Sequence, residues 1–173
     1  MKNRIEFKPM NIFILSKNPE KSAEYMCDKH IPKMVVETAQ MLACALYANG
    51  VSESEMPLTS SGTHYKGGYK HHPCSKWAGE SNLNYAWLCL HGLALCRQFM
   101  LRYKKVHTCT EAIVHMCNMA DRIKEGDFTP FHQAMPEKYH NVDPVKAYRN
   151  YYIAEKTFAE WKKGVPKPKW FYN

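Results

Sequence analysis

Three short segments of this 173-residue chain gather groups that can do chemistry: Cys27-Asp28-Lys29-His30, Tyr69-Lys70-His71-His72-Pro73-Cys74-Ser75-Lys76-Trp77, and Ala147-Tyr148-Arg149-Asn150-Tyr151-Tyr152. In the first, an imidazole titrates near working pH, a carboxylate can orient it, and a lysine can hold phosphate or, once desolvated, attack an electrophilic carbon. That makes Asp28, Lys29 and His30 candidates for catalysis. The alternative is a chance cluster on a solvated helix surface. In the second segment Lys70 and His72 are candidates for the same work. His71 and the backbone donors before Pro73 could meet an anion at a helix start, and Trp77, one turn on, could stack on a base.

Charge points the same way. With 24 Lys and Arg against 16 Asp and Glu, the formal charge is +8, which favours anionic partners through counterion release. Arg102, Arg149, Tyr152, Lys156, Lys169 and Trp170 complete the set expected to meet nucleic acid or a nucleotide-derived ligand. No cofactor is expected. No metal is expected either: pairs such as Cys27/His30 and His71/Cys74 lack the paired CxxC or HxxxH frame of a tetrahedral site. No Gly-rich phosphate loop or serine elbow is present.

The elements that must position these groups read as one mostly helical, all-α domain spanning 1–173, with enough hydrophobic content (45%) to fill a core. Residues 1–9 read as an N-terminal extension, and Ile12-Phe13-Ile14-Leu15 as a short packed arm. Asn18-Pro19 caps a helix running to Asn49-Gly50 that Pro32 kinks or splits. Residues 51–68 have the composition of a mobile loop. A central helix is expected to start between Ser75 and Ser81, because Tyr85, Leu88, Gly92, Leu95, Phe99 and Tyr103 recur at spacings of three and four.

Thr108-Cys109-Thr110-Glu111 matches a capping box for a helix reaching Gly126. Asp143-Pro144 opens a last helix, whose apolar stripe Tyr148, Tyr151, Ala154, Phe158 and Trp161 would leave Arg149, Tyr152 and Lys156 on another face. The tail 165–173 is basic, aromatic and expected to be non-helical. It either lies along nucleic acid or tucks against its own domain. Seven cysteines scattered through apolar segments, and no apolar run long enough to span a bilayer, suggest a reducing cytoplasmic setting without membrane contact.

The motifs Met10-Asn11-Ile12-Phe13-Ile14-Leu15, Cys27-Asp28-Lys29-His30, Tyr69-Lys70-His71-His72-Pro73, Phe131-His132-Gln133-Ala134-Met135-Pro136 and Ala147-Tyr148-Arg149-Asn150-Tyr151-Tyr152 resemble those of a group of small bacteriophage proteins. More distantly, the arm, Ala23-Glu24-Tyr25 in the first helix, and the segment before the long helix resemble the pyrimidine-dimer DNA glycosylase/AP-lyase family. The resemblance implies a small helical enzyme that bends DNA, flips a nucleotide and attacks the sugar with an N-terminal α-amine, assisted by a glutamate on the first helix. Carried over, it puts the amine at the N-terminus, Lys29 or Lys70, and the general acid/base at Asp28 or His30. Two other readings stand beside it: a non-enzymatic binder of a nucleotide signal, and a modifier of phage DNA bases.

Overall fold

The computed structural model describes residues 10–172, so the extension expected at 1–9 lies outside the described residues. The expected all-α class is found: six α-helices, and no strand among the described residues. The Asn18 side chain accepts from the Lys21 N–H at 2.9 Å to cap α1 (Pro19–Tyr25). The chain then leaves the helix and re-enters it as α2 (His30–Ala48). The expected split therefore occurs before Pro32, not at it. Proline falls in the first turn of α2, where its missing N–H costs nothing.

The single central helix expected is two helices. His72 Nδ1 accepts from the Cys74 N–H and Pro73 opens α3 (Pro73–Glu80). Ser81 then breaks into extended backbone, and its hydroxyl accepts from the Asn84 N–H to cap α4 (Asn82–Tyr103). Tyr85, Leu88, Leu95 and Phe99 are buried along one face of α4. Gly92 on that face allows close approach: a Cβ there would lie 2.9 Å from Thr38 Cγ2 of α2 and 3.4 Å from Ile113 Cγ2 of the next helix. The α2 and α4 helices form the centre, with α1 and α3 packed around them.

Three further expectations are corrected. The capping box at Thr108 does not form, because Cys109 is the residue preceding α5 (Thr110–Cys117) and no side chain caps it. After Cys117 the chain tightens into a 3-10 turn, Ala120–Arg122, and does not run on as helix. The last helix, α6 (Pro144–Glu155), starts on its Asp143 cap as expected but ends before Phe158 and Trp161. Tyr148 and Tyr152, four residues apart, share the buried face, whereas Tyr151 is half-buried, so Tyr152 is not outward-facing. The tail forms a 3-10 turn, Lys169–Tyr172, that sets Trp170 and Phe171 edge-on against Tyr152. Of the two tail readings, packing against its own fold is the one seen.

Residues 51–68 carry local order that their composition hides. A 3-10 turn, Glu53–Glu55, has a full capping box with Ser52, and Leu58 bridges His64. Gly67, at φ +71°, then seats the loop on α2, where a Cβ would lie 2.8 Å from Cys44 Sγ. Only glycine fits there.

Candidate active site

Asp28 and His30 sit where two turns of chain are pinned together, and their partners use them up. Arg102, 4% exposed, donates to Asp28 Oδ1 at 3.1 Å, to the Met26 and Glu24 carbonyls at 2.7 and 2.8 Å, and to Gln98 Oε1 at 3.0 Å. The guanidinium thus closes the open carbonyl end of α1 and has no fork left for phosphate. Asp28 Oδ2 accepts from the Lys162 N–H at 2.7 Å. Tyr152 accepts from the Cys27 N–H and shares a 2.8 Å hydrogen bond with His30 Nδ1. His30 is also stacked on Phe13, 4.8 Å between centroids. Burial, helped by Lys156, Lys33 and Lys29, pushes its pKa down to about 3. This corner is a structural joint built from chemically capable groups.

Trp77 is likewise internal: 2% exposed, with Nε1 donating to the Thr129 carbonyl and its ring among Trp87, Phe128 and Phe131. The ring faces of Trp77 and Tyr152 and the guanidinium of Arg102, expected to meet nucleic acid, are therefore closed to it. Lys29 rests over Phe158 at 4.8 Å. Arg149 donates to the Leu15 carbonyl and lies over Trp170 and Tyr25, while Lys156 lies over Phe13 and Tyr151. Both keep partial exposure, and Lys169 is exposed.

Asp28 and His30 do not share a cleft with Lys70 and His72, the candidates of the second segment. His30 begins α2, whereas Lys70 lines a cleft against Cys44 and Tyr47, fourteen residues on, or about 21 Å along the axis. His72 is the α3 cap, its pKa lowered by burial and by His132.

What α2 presents instead is a stripe at spacings of four, three and four: Lys33, Glu37, Gln40, Cys44. Glu37, 9% exposed, uses Oε2 to accept from the Asn11 N–H of the arm at 2.9 Å, and Lys33 Nζ lies 3.2 Å from Oε1. The arm is fixed there from both sides. Asn11 Oδ1 accepts from the Ile12 and Phe13 N–H groups, and its Nδ2 donates to the Ala134 carbonyl. Phe13 is held at φ 55°, a left-handed conformation that costs energy for a residue with a Cβ. Tyr148 ties the His132 and Ala134 backbone to the same place. Ser75 of α3, bonded to Met10 Sδ, links the arm to the neighbouring cleft.

That cleft, about 520 Å³, is lined by Cys44, Tyr47, Lys66, Lys70, His71 and Lys76 among others. Gly68 lies over Gln40, and Cys44 Sγ donates to its carbonyl. A buried carboxylate with an amine beside it thus stands about two helical turns from a cationic hollow. A model of the pyrimidine dimer DNA glycosylase family matches residues 10–111. The chain belongs to that family. The match takes in the arm, α2 and the cleft loop, and leaves α6 and the tail outside. No curated protein and no solved structure matches the chain. No helix among the described residues is long and apolar enough to cross a membrane.

Glu37 and Lys33 are not among the sequence candidates, because the Cys27-Asp28-Lys29-His30 cluster concentrates the same chemical groups nearer the first helix. The available signal was the i,i+4 pair Lys33/Glu37 on a helix that is otherwise apolar, a carboxylate in a stretch with no other acid.

Proposed function

We propose that the protein is a DNA N-glycosylase with lyase character acting on a damaged pyrimidine nucleotide in the cytoplasm, and that its chemistry centres on Glu37. The observation that carries this reading is the buried Glu37 carboxylate hydrogen-bonded to the backbone nitrogen of the N-terminal arm. In a family whose nucleophile is an N-terminal amine assisted by a glutamate, that is the pairing required. The amine attacks the sugar C1′, the bond to the base breaks, and the base departs with a proton. Glu37 moves protons at the attacking nitrogen and the opening sugar ring.

Two amines suit the geometry. Lys33 Nζ lies 3.2 Å from Glu37. A chain beginning at Met10 would put its α-amine one residue from Asn11. Lys70, His71, Lys66 and Lys76 take the phosphates, and the cleft receives the extruded nucleotide, whose unstacking costs a few kcal/mol.

Borohydride trapping on duplexes carrying a pyrimidine dimer, an abasic site or no damage tests the reading. A covalent adduct on damaged duplex is expected. Loss of the adduct in Lys33→Ala assigns the lysine, and faster trapping by the chain beginning at Met10 assigns the α-amine. No adduct on any duplex would favour a nucleotide binder using the same cleft.

A further inference from the structure

The α4 helix repeats the same spacing twice. Its inner series, Tyr85, Leu88, Gly92, Leu95 and Phe99, is packed against α2 and α5. Its outer series, Leu83, Ala86, Leu90, Leu93, Arg97 and Met100, also alternates by three and four, the period at which one helix presents a seam to another. Leu83, Leu90 and Met100 are 48%, 51% and 52% exposed. Val106 and Val114 widen the apolar area, and among the described residues nothing covers it. A contiguous exposed apolar stripe on a helix already buried on its opposite face marks an interaction surface.

We propose that this face is the seam of a two-fold homodimer, with α4 antiparallel to α4 of a second copy. Charge fixes the occupant and the direction. Glu80, Glu125 and Asp127, with Lys124 among them, surround the start of α4, where Asn82 bonds the Lys124 carbonyl and the Gly126 N–H. Arg97, Lys104 and Lys105 mark its other end. Antiparallel copies set the acidic end of each against the basic end of the other, whereas parallel copies oppose like charges. The register follows from the stripe. With the two-fold axis between Leu90 and Leu93, Leu83 of one copy faces Met100 of the other, where a hollow of about 220 Å³ between Leu93, Cys96, Arg97, Met100, Val106 and Thr110 receives it.

Arg97, paired with Glu20 at 2.9 Å, lays its aliphatic stem along the seam. Thr38, which meets Gly92 of α4, lies on the far side of α2 from Gln40 and Cys44. Both clefts of such a dimer therefore open away from the seam.

Sedimentation of the full chain is expected to give twice the chain mass at micromolar concentration. Leu90→Arg, a change at an exposed position, is expected to weaken the dimer at least about thirtyfold while leaving helical circular dichroism intact. Lys104→Glu with Lys105→Glu is expected to weaken it too, and adding Glu125→Lys with Asp127→Lys to restore it. A wild-type monomer, or a dimer indifferent to Leu90→Arg, overturns the seam. Failure of the second charge reversal to restore association overturns the antiparallel arrangement.

Discussion

The joint at Asp28-Lys29-His30, where α2 begins, and the stripe Lys33-Glu37 in its first turns contain the same kinds of groups, yet they differ in what their polar atoms are bonded to. At the joint, both Asp28 oxygens, the Arg102 guanidinium and His30 Nδ1 are engaged by their own fold. At the stripe, Glu37 spends one oxygen on a backbone nitrogen of the arm and keeps the other beside a half-exposed lysine. A charged group that is fully partnered holds structure. One whose second oxygen is held only by a solvent-accessible lysine keeps capacity for a reacting proton.

The contrast is broken most severely at Glu37. Glu37→Gln keeps the acceptor for the Asn11 N–H but removes the proton-transferring carboxylate. It should slow adduct formation by about two orders of magnitude or more, with little change in melting temperature. Asp28→Ala should do the reverse. Stripping the buried Arg102 of its counter-charge should cost about 3–5 kcal/mol, a drop in Tm of roughly 10 °C, with adduct formation per folded molecule preserved.

The joint should also report on pH. His30, depressed to about 3, and His91, depressed to about 4 chiefly by burial, fold in their neutral forms. Their unfolded forms take up protons first, near the ordinary value of 6.5. The stability they confer is therefore fully present above about pH 6.5 and is lost as pH falls toward 4, with a slope approaching about 1.4 kcal/mol per pH unit for each group. Urea unfolding at pH 7, 5.5 and 4.5 measures this, and His30→Gln should flatten the curve.

The smallest effect belongs to the cleft rim. Lys70→Ala should weaken duplex binding a few-fold and lower the salt slope by about one, leaving stability unchanged. A duplex affinity flat in salt would remove the phosphate role from that rim.

How much of this was legible in the sequence depended on range. The caps at Asn18, His72, Ser81 and Asp143 are set by contacts within a few residues, and two of them, Asn18 and Asp143, are readable as helix starts. The inward face of α4 was readable because its period is regular. Which charged groups would be consumed was not readable. Arg102 meets Asp28 across 74 residues, Tyr152 meets His30 across 122, and Asn11 meets Glu37 across 26. Tyr152 was assigned to the wrong face because the stripe was continued through Phe158 and Trp161. In the fold, the Asp28 N–H donates to the Glu160 carbonyl and the Asp28 carboxylate accepts from the Lys162 N–H, and these bonds take over beyond the end of α6.

The most direct test compares Asp28→Asn with Glu37→Gln in single-turnover borohydride trapping on a dimer-containing duplex, with rates normalised to the folded fraction of each variant. A site centred on Glu37 predicts near wild-type trapping for Asp28→Asn and at least hundredfold slower trapping for Glu37→Gln. The opposite order, with Asp28→Asn inactive while folded and Glu37→Gln active, would contradict it and return the chemistry to the joint.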